Sequence, residues 1–202
     1  MEPARKLTEI KREQIIEAAV AEFKTNGYRA TSMDSIAATA QVSKRTVYNH
    51  FESKEQLFQV ITQELFDRVI KVSERAYEPG VPVRKQLKTI AEQEMALLTS
   101  EEFLGLARVI TSESLSSPEL TRTNFDEVQE SAIGVVRWIK EAAADGKLKV
   151  SDPVSSGKRF LALIEAFAFW PQLFSYKPVP SRKEQESIIE SAIEMFLNTH
   201  AV

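Results

Sequence analysis

The chain has 202 residues, 43% of them hydrophobic and 27% charged, a balance typical of a globular protein with one large domain or two smaller ones. It has no cysteine, which excludes disulfides and thiolate chemistry, and its net charge of -3 excludes a uniformly basic nucleic-acid-binding body. No apolar run approaches the roughly 20 residues of a membrane span, and the polar start MEPARKLTEI lacks a secretory core, so we expect a cytoplasmic protein.

Apolar residues recur at helical spacing along nearly the whole chain, which predicts an all-α protein of about nine helices. The first predicted helix covers 12–24 and ends at Gly27, a residue able to take the left-handed conformation after a helix. Two short helices follow at 33–40 and 44–51. Ser32 and Ser43 precede them as N-caps.

The segment SKEQ (residues 53–56) has the form of a capping box and opens a long predicted helix, which ends before EPGVP. This Pro-Gly stretch marks a boundary, and longer helices follow it. Their predicted starts include Ser117 with Pro118, Asp152 with Pro153, and Ser181 with Glu184. Two breaks are expected, a stop at Gly146 and a kink at Pro171.

The nine residues SKRTVYNHF (43–51) form the second helix of a predicted helix-turn-helix. At 100° per residue, Val47 and Phe51 point into the core, whereas Arg45 and Asn49 lie near the opposite pole. Arg pairs bidentately with guanine and Asn with adenine, so this outward face suits the reading of DNA bases. A solvated connector helix is the alternative that polarity alone would favour.

Residues 12–60 resemble the DNA-binding domain of the TetR/AcrR family of transcriptional regulators. The resemblance rests on an ordered series of segments: IIEAAVAEF, NGY, ATSMDSIA, VSKRTVYNHF and SKEQL. It implies a helix-turn-helix DNA-binding domain at 1–54, with the motif itself at about 32–51. A connecting long helix and boundary would occupy 55–82, and a C-terminal ligand-binding and dimerisation domain 83–202.

The resemblance also implies roles for individual side chains on DNA. Four of them would meet base edges or the nearby backbone, and four would meet phosphates. The first group is Lys44, Arg45, Thr46 and Asn49; the second is Ser32, Tyr48, His50 and Lys54. Lys54 lies in the first turn of its helix, where its charge opposes the helix dipole, and a nearby phosphate would explain this position.

The turn of the motif departs from the family pattern, since AQVS stands where Ala-Gly-Val-Ser is usual. If Gln41 keeps the left-handed conformation of the replaced glycine, it costs about 1–2 kcal/mol. We therefore expect Gln41→Gly to stabilise the domain.

The region beyond residue 82 offers no catalytic constellation, because the chain has only two histidines, His50 and His200, and its carboxylates are scattered. We expect no enzyme, no cofactor and no metal. This region resembles the AefR-like C-terminal domain in its layout. The resemblance does not identify a ligand.

Aromatic residues and one arginine of this region are candidates for a ligand pocket, since cavities between helices lined by such rings suit apolar or aromatic compounds. The alternative is that the rings fill the core or a dimer interface, and that the arginine pairs with a nearby glutamate. The candidates are Phe103, Arg108, Phe125, Trp138, Phe167 and Trp170.

The last two long helices are rich in apolar residues, and the family resemblance places a four-helix homodimer interface there. Burial within one subunit would give the same pattern. The candidates are Phe160, Leu161, Ile164, Ile189, Ile193 and Phe196.

These expectations combine into a homodimeric repressor that binds a palindromic DNA operator and is released by an unidentified small-molecule inducer, expected to be apolar or aromatic. No membrane partner is expected. An activator and a ligand-independent DNA-binding protein of the same fold stay open. A further rival is an all-α enzyme, which would need a cluster of titratable groups in a cavity.

Overall fold

The computed structural model describes residues 2–73, 75–117 and 133–202, and it confirms the all-α class. Among the described residues, the only β-type backbone pairing is an isolated antiparallel bridge between Leu148 and Ala201. The helices are α1 (Glu2–Ala30), α2 (Met33–Thr39), α3 (Lys44–His50), α4 (Lys54–Ser73), α5 (Val83–Leu98), α6 (Glu101–Ser116), α7 (Ile133–Ala144), α8 (Pro153–Ala168), α9 (Trp170–Ser175) and α10 (Arg182–His200).

The described residues divide into two compact units. The first contains residues 2–65 and 105–117, and the second contains 66–104 and 133–202. Helices α4 and α6 therefore each continue from one unit into the other along the chain. The predicted functional boundaries at 54 and 82 stay predictions.

The first unit is built on the apolar stripe of α1. Ile15, Ala19 and Phe23 are buried, as the spacing predicts. The helix extends well beyond the predicted span and is interrupted at Gly27, where φ is 77° and ψ is 160°. The positive φ agrees with the prediction, but ψ is extended rather than left-handed helical. The ring of Tyr28 then packs 4.7 Å from that of Phe58 on α4 and helps to close this core.

The helix starts in the first unit follow their capping residues. Ser43 accepts a hydrogen bond from the backbone N–H of Thr46 and so caps α3. At the start of α4, Ser53 accepts from the N–H of Gln56, but the Gln56 side chain accepts from the N–H of Glu52 rather than that of Ser53. The predicted capping box is thus present with its return bond shifted by one residue.

The second unit packs α8 against α5, α7, α9 and α10. Its predicted signals are confirmed: Asp152 caps α8, Ser181 and Glu184 form a capping box, and Gly146 has a φ of 69° after α7. The predicted break at Pro171 is also present, because α8 ends at Ala168 and Pro171 lies in the first turn of α9.

Two expected features lie outside the described residues, namely Pro118 as the first residue of a helix and the position of Phe125. In the part of the chain that is described, no helix combines the length and the apolar character needed to cross a membrane.

Candidate nucleic-acid interface

The inward and outward faces of α3 are those that the helical period predicts. Val47 and Phe51 are 0% and 2% exposed, so they anchor the helix in the core of the first unit. Arg45 and Asn49 are exposed, and Tyr48 is 45% exposed. A guanidinium, a phenol and a carboxamide therefore cover the solvent side of a helix whose opposite side is fixed.

The start of α3 orders two of its polar side chains. The hydroxyl groups of Ser43 and Thr46 lie 2.8 Å apart and share a hydrogen bond. The backbone N–H of Thr46 is also satisfied by Ser43. The hydroxyl of Thr46 is thus engaged with the cap, which leaves its methyl group as the part able to meet a thymine methyl.

Lys44, the first residue of α3, is joined to α2 by an ion pair. Its ammonium lies 2.7 Å from Oδ1 and 3.0 Å from Oδ2 of Asp34, in the first turn of α2. The hydrogen bond and the charge of Asp34 raise the pKa of Lys44. The ion pair orients the Lys44 side chain towards α2. The sequence analysis does not include Asp34 in the site.

Ser32 occupies the N-terminus of α2, where a phosphate contact is predicted. Its hydroxyl accepts from the N–H of Ser35 at 3.0 Å, and the Ser35 hydroxyl accepts from the N–H of Ser32 at 3.1 Å. Ser32 is exposed, and a helix N-terminus favours a nearby negative charge. The geometry is compatible with the predicted contact.

Lys54 has a structural explanation that differs from the predicted phosphate contact. Its ammonium donates to the carbonyls of Tyr28 and Thr31 at 2.8 Å each, with that of Arg29 at 3.4 Å. It also lies 4.4 Å from the centre of the Tyr28 ring. The end of α1 thus supplies the negative field that makes a cation acceptable in the first turn of α4.

His50 closes α3 and is half-buried, with its ring centre 6.4 Å from that of Phe51. His50 lies in the last turn of α3, and part of its side chain is exposed there. The six predicted DNA contacts in 44–50 therefore share one short helix, and Ser32 and Lys54 flank it along the chain.

The predicted ligand-pocket residues that the structure describes differ in their surroundings, and their role stays a prediction. Trp138 is fully buried, and its indole N–H donates to Oε1 of Gln86 at 3.0 Å, which makes it a core residue. Phe103 is buried against Phe169, whereas Phe167 and Trp170 are 59% and 45% exposed. Arg108 lies on the part of α6 that belongs to the first unit and is half-buried, and Phe125 lies outside the described residues.

The predicted dimer residues are mostly covered by their own chain. Five of the six are at most 5% exposed, and only Leu161 is half-buried. The five are Phe160, Ile164, Ile189, Ile193 and Phe196. These five side chains are thus buried within their own chain, and the dimer interface stays a prediction, in which a partner would meet the more exposed side chains of α8 and α10.

Sequence reasoning missed a buried carboxyl group on α5. Glu94 is 3% exposed, and burial, with a smaller contribution from Glu165, raises its pKa to about 7. Burial also raises the pKa of Glu165 on α8. The signal was available, because Glu94 interrupts the apolar stripe formed by Leu87, Ile90 and Leu98.

Comparison with known proteins gives a family match for each of two parts of the chain. Residues 15–61 match the family profile described as bacterial regulatory proteins, tetR family. Residues 85–202 match the AefR-like transcriptional repressor, C-terminal domain.

Individual relatives cover most of the chain. The crystal structure of a TetR family regulator from Pseudomonas syringae pv. tomato str. DC3000 is 41% identical, with a TM-score of 0.81, over 95% of this chain and 97% of that one. The flavonoid-responsive regulator FrrA is 26% identical, with a TM-score of 0.77, over 96% and 98%. The HTH-type regulator YhgD of Bacillus subtilis (strain 168) is 29% identical over 77% of this chain and 81% of its own. The chain belongs to the TetR family of transcriptional regulators and carries an AefR-like C-terminal domain.

Proposed function

We propose that the protein is a homodimeric repressor that binds a palindromic operator and leaves it when a small molecule binds the C-terminal domain. The observation that carries this proposal is the exposed face of α3. Arg45 and Asn49 are exposed on one side of α3, and Val47 and Phe51 anchor its other side in the core. A helix with such an exposed polar face is suited to the major groove.

Base reading is assigned to Arg45 and Asn49, with Lys44 and Thr46 beside them. Arg pairs with guanine O6 and N7, and Asn with adenine N6 and N7. These two side chains are four residues apart, so they project from the same side of α3 at a separation of about 6 Å along its axis. Each half-site should therefore contain a guanine and an adenine within about two base pairs.

Phosphate contacts are assigned to Ser32, Tyr48 and His50, which would fix the register without reading sequence. Lys54 was predicted to join them. The carbonyl contacts of its ammonium group favour an anchoring role instead, and the phosphate contact is kept as the alternative to be tested.

For the dimer, we propose that a second copy covers the exposed side of α8 and α10. Met195 of α10 is 56% exposed there, and Phe167 of α8, which lines a separate groove with Pro171 and Ile188, is 59% exposed. Between the two helices runs a groove of about 420 Å³, whose lining includes Arg159, Ala162 and Met195. Exposed apolar side chains along a groove between two long helices suit a helix-packing partner. The buried residues Phe160, Ile164 and Phe196 would support this face from below.

For the ligand, we propose a compound with an apolar or aromatic body. One relative, FrrA, is described as flavonoid-responsive, which is consistent with an aromatic ligand. Ligand binding would favour a conformer whose α3 helices no longer match successive major grooves, and it can do so only through its different affinity for the two conformers.

The proposal places the protein in the cytoplasm, where it would act by binding and without catalysis. An activator and a ligand-independent DNA-binding protein are the alternatives. In vitro selection from random duplexes tests the central part. We expect a palindrome with half-site centres about 34–36 Å apart, or slightly wider. Enrichment of no sequence, or of an unpaired half-site by a monomer of about 23 kDa on light scattering, would refute it.

A further inference from the structure

A carboxylate on α1 holds the last residue of α2. The hydroxyl of Thr39 donates to Oε1 of Glu22 at 2.6 Å, and the side-chain amide of Asn26 donates to Oε2 at 3.0 Å. Both oxygens of the carboxylate are therefore engaged, one by α2 and one by α1 itself. The hydrogen bond from Thr39 is the main reason why the pKa of Glu22 is lowered, so this group is ionised at neutral pH.

The hydrogen bond of Thr39 differs from the one that a threonine usually makes in a helix. A threonine hydroxyl there commonly donates to the carbonyl four residues earlier, as those of Thr62 and Thr89 do in this protein. Thr39 instead reaches a residue 17 positions earlier in the chain. Its side chain thus joins α2 to α1 and does not serve the local helix.

A groove separates α1 from the turn that follows Thr39. It has a volume of about 520 Å³, and its lining includes Ala18 and Ala21 of α1 and Gln41 of the turn. The backbone N–H groups at positions 41 and 42 donate to carbonyls of α2. The link between Glu22 and Thr39 therefore has a direct part in setting the distance between the turn and α1.

The opposite end of α3 is held at a different place on α1. The guanidinium of Arg12 lies 5.4 Å from the ring centre of Phe51, the C-cap of α3, and its Nη1 lies 3.7 Å from Oε1 of Glu64 on α4. The angle of α3 then depends on where the turn is placed. This angle decides where Arg45 and Asn49 point, and a binding site tolerates errors of only about 0.5 Å or 10–20°.

We propose that Glu22 is a positioning residue for the reading of DNA sequence: through Thr39 it fixes the turn of the helix-turn-helix and hence the angle at which α3 enters the major groove. Neither side chain has to touch DNA for this role. The inference rests on the proposed function, because it requires α3 to read the operator. Substitutions at exposed positions change stability little, so the effect belongs to the specificity of DNA binding and not to the melting temperature.

Two substitutions of Thr39 test the hydroxyl group without changing any charge. Thr39→Val has the same shape and lacks the hydrogen bond, whereas Thr39→Ser keeps it. Fluorescence anisotropy measures the dissociation constants for a palindrome obtained by in vitro selection and for a scrambled duplex. We expect Thr39→Val to lower the ratio of the two constants about fivefold and Thr39→Ser to keep it within about twofold. Thr25→Val, the same change at an exposed position of α1, should leave the ratio unchanged.

A double-mutant cycle tests the pairing itself. Glu22→Met removes the carboxylate and should also lower the ratio, while the loss of a negative charge raises affinity for both duplexes alike. Combining it with Thr39→Val should lower the ratio no further than Glu22→Met alone. Losses that add would mean that the two residues act independently, and they would overturn the inference.

Two other results would overturn the inference as well. One is an unchanged ratio in Thr39→Val, including the case in which both duplexes are bound equally less tightly. The other is an equal loss of the ratio in Thr39→Ser. If the unmodified protein selects a palindrome and Thr39→Val reads it with unchanged specificity, the inference is wrong and the proposed repressor stands. If the unmodified protein selects no palindrome, the proposed function itself fails.

Discussion

The carboxylate of Asp34 holds the ammonium of Lys44 at 2.7 Å and so joins the first turn of α2 to the first residue of α3. Both side chains are more than half exposed, so the pair itself contributes little to stability. Its effect is on direction and charge: it orients Lys44 towards α2 and places a negative group beside the start of α3.

Replacing Asp34 with Asn should therefore weaken discrimination between DNA sequences. Lys44 becomes free to pair with phosphates, so affinity for a scrambled duplex rises about threefold, and the slope of log K against log salt steepens by about 0.9. Fluorescence anisotropy over a salt series measures both. Glu186→Gln, the same change of charge at an exposed position of α10, serves as the control. An unchanged slope would show that the ion pair does not restrain Lys44 on DNA.

The turn between α2 and α3 contains a strained residue, since Gln41 has a φ of 55°. The condition on which the predicted gain from glycine depends is thus met. Gln41→Gly should stabilise the protein by about 1 kcal/mol, because glycine adopts this conformation without a Cβ clash. Gln41→Ala keeps the clash and should bring no gain. A lower melting temperature for the glycine variant than for the alanine variant would contradict this explanation.

Replacing Lys54 tests whether its ammonium group anchors α4 to the end of α1 or contacts a phosphate. Lys54→Met removes the hydrogen bonds to the end of α1 and should cost about 2 kcal/mol in the free energy of unfolding. The salt slope of operator binding should stay the same, whereas loss of a phosphate contact would reduce it by about 0.9. Denaturant unfolding measures the free energy of unfolding, and fluorescence anisotropy over a salt series measures the slope. Lys71→Met, at an exposed position on the same helix, controls for the loss of one charge.

The raised pKa of Glu94 makes stability depend on pH. The group titrates near 4.5 when unfolded and at about 7 when folded, so between these values the folded state binds the extra proton. The contribution of Glu94 to the free energy of unfolding is complete below about pH 4.5 and is lost as the pH rises towards 7. Glu94→Gln should remove this loss, so its melting temperature should exceed that of the unmodified protein at pH 8 and match it near pH 4.5. A melting difference that does not vary with pH would contradict the assignment.

Local patterns were enough to predict much of the fold and the buried and exposed faces of α3. The 100° step separated Val47 from Arg45, and the capping residues of α2, α3, α8 and α10 mark true helix starts. Such signals depend on neighbours along the chain.

Contacts between distant residues could not be predicted in the same way. Lys54 reaches carbonyls more than 20 residues away, and Trp138 finds Gln86 across 52 residues. The apolar stripe of α10 could face its own chain or a partner, because both use the same spacing. Glu94 was the exception, since a charged residue inside the stripe of α5 is visible in the sequence.

The most direct test of the account compares the unmodified protein with Arg45→Ala on a selected palindromic duplex and a scrambled duplex, by fluorescence anisotropy at two salt concentrations. We expect Arg45→Ala to lose about 1–3 kcal/mol of binding to the palindrome, with a much smaller loss on the scrambled duplex, so that the specificity ratio collapses. An equal loss on both duplexes would mean that Arg45 meets only phosphates, and it would contradict the assignment of α3 as the helix that reads the operator.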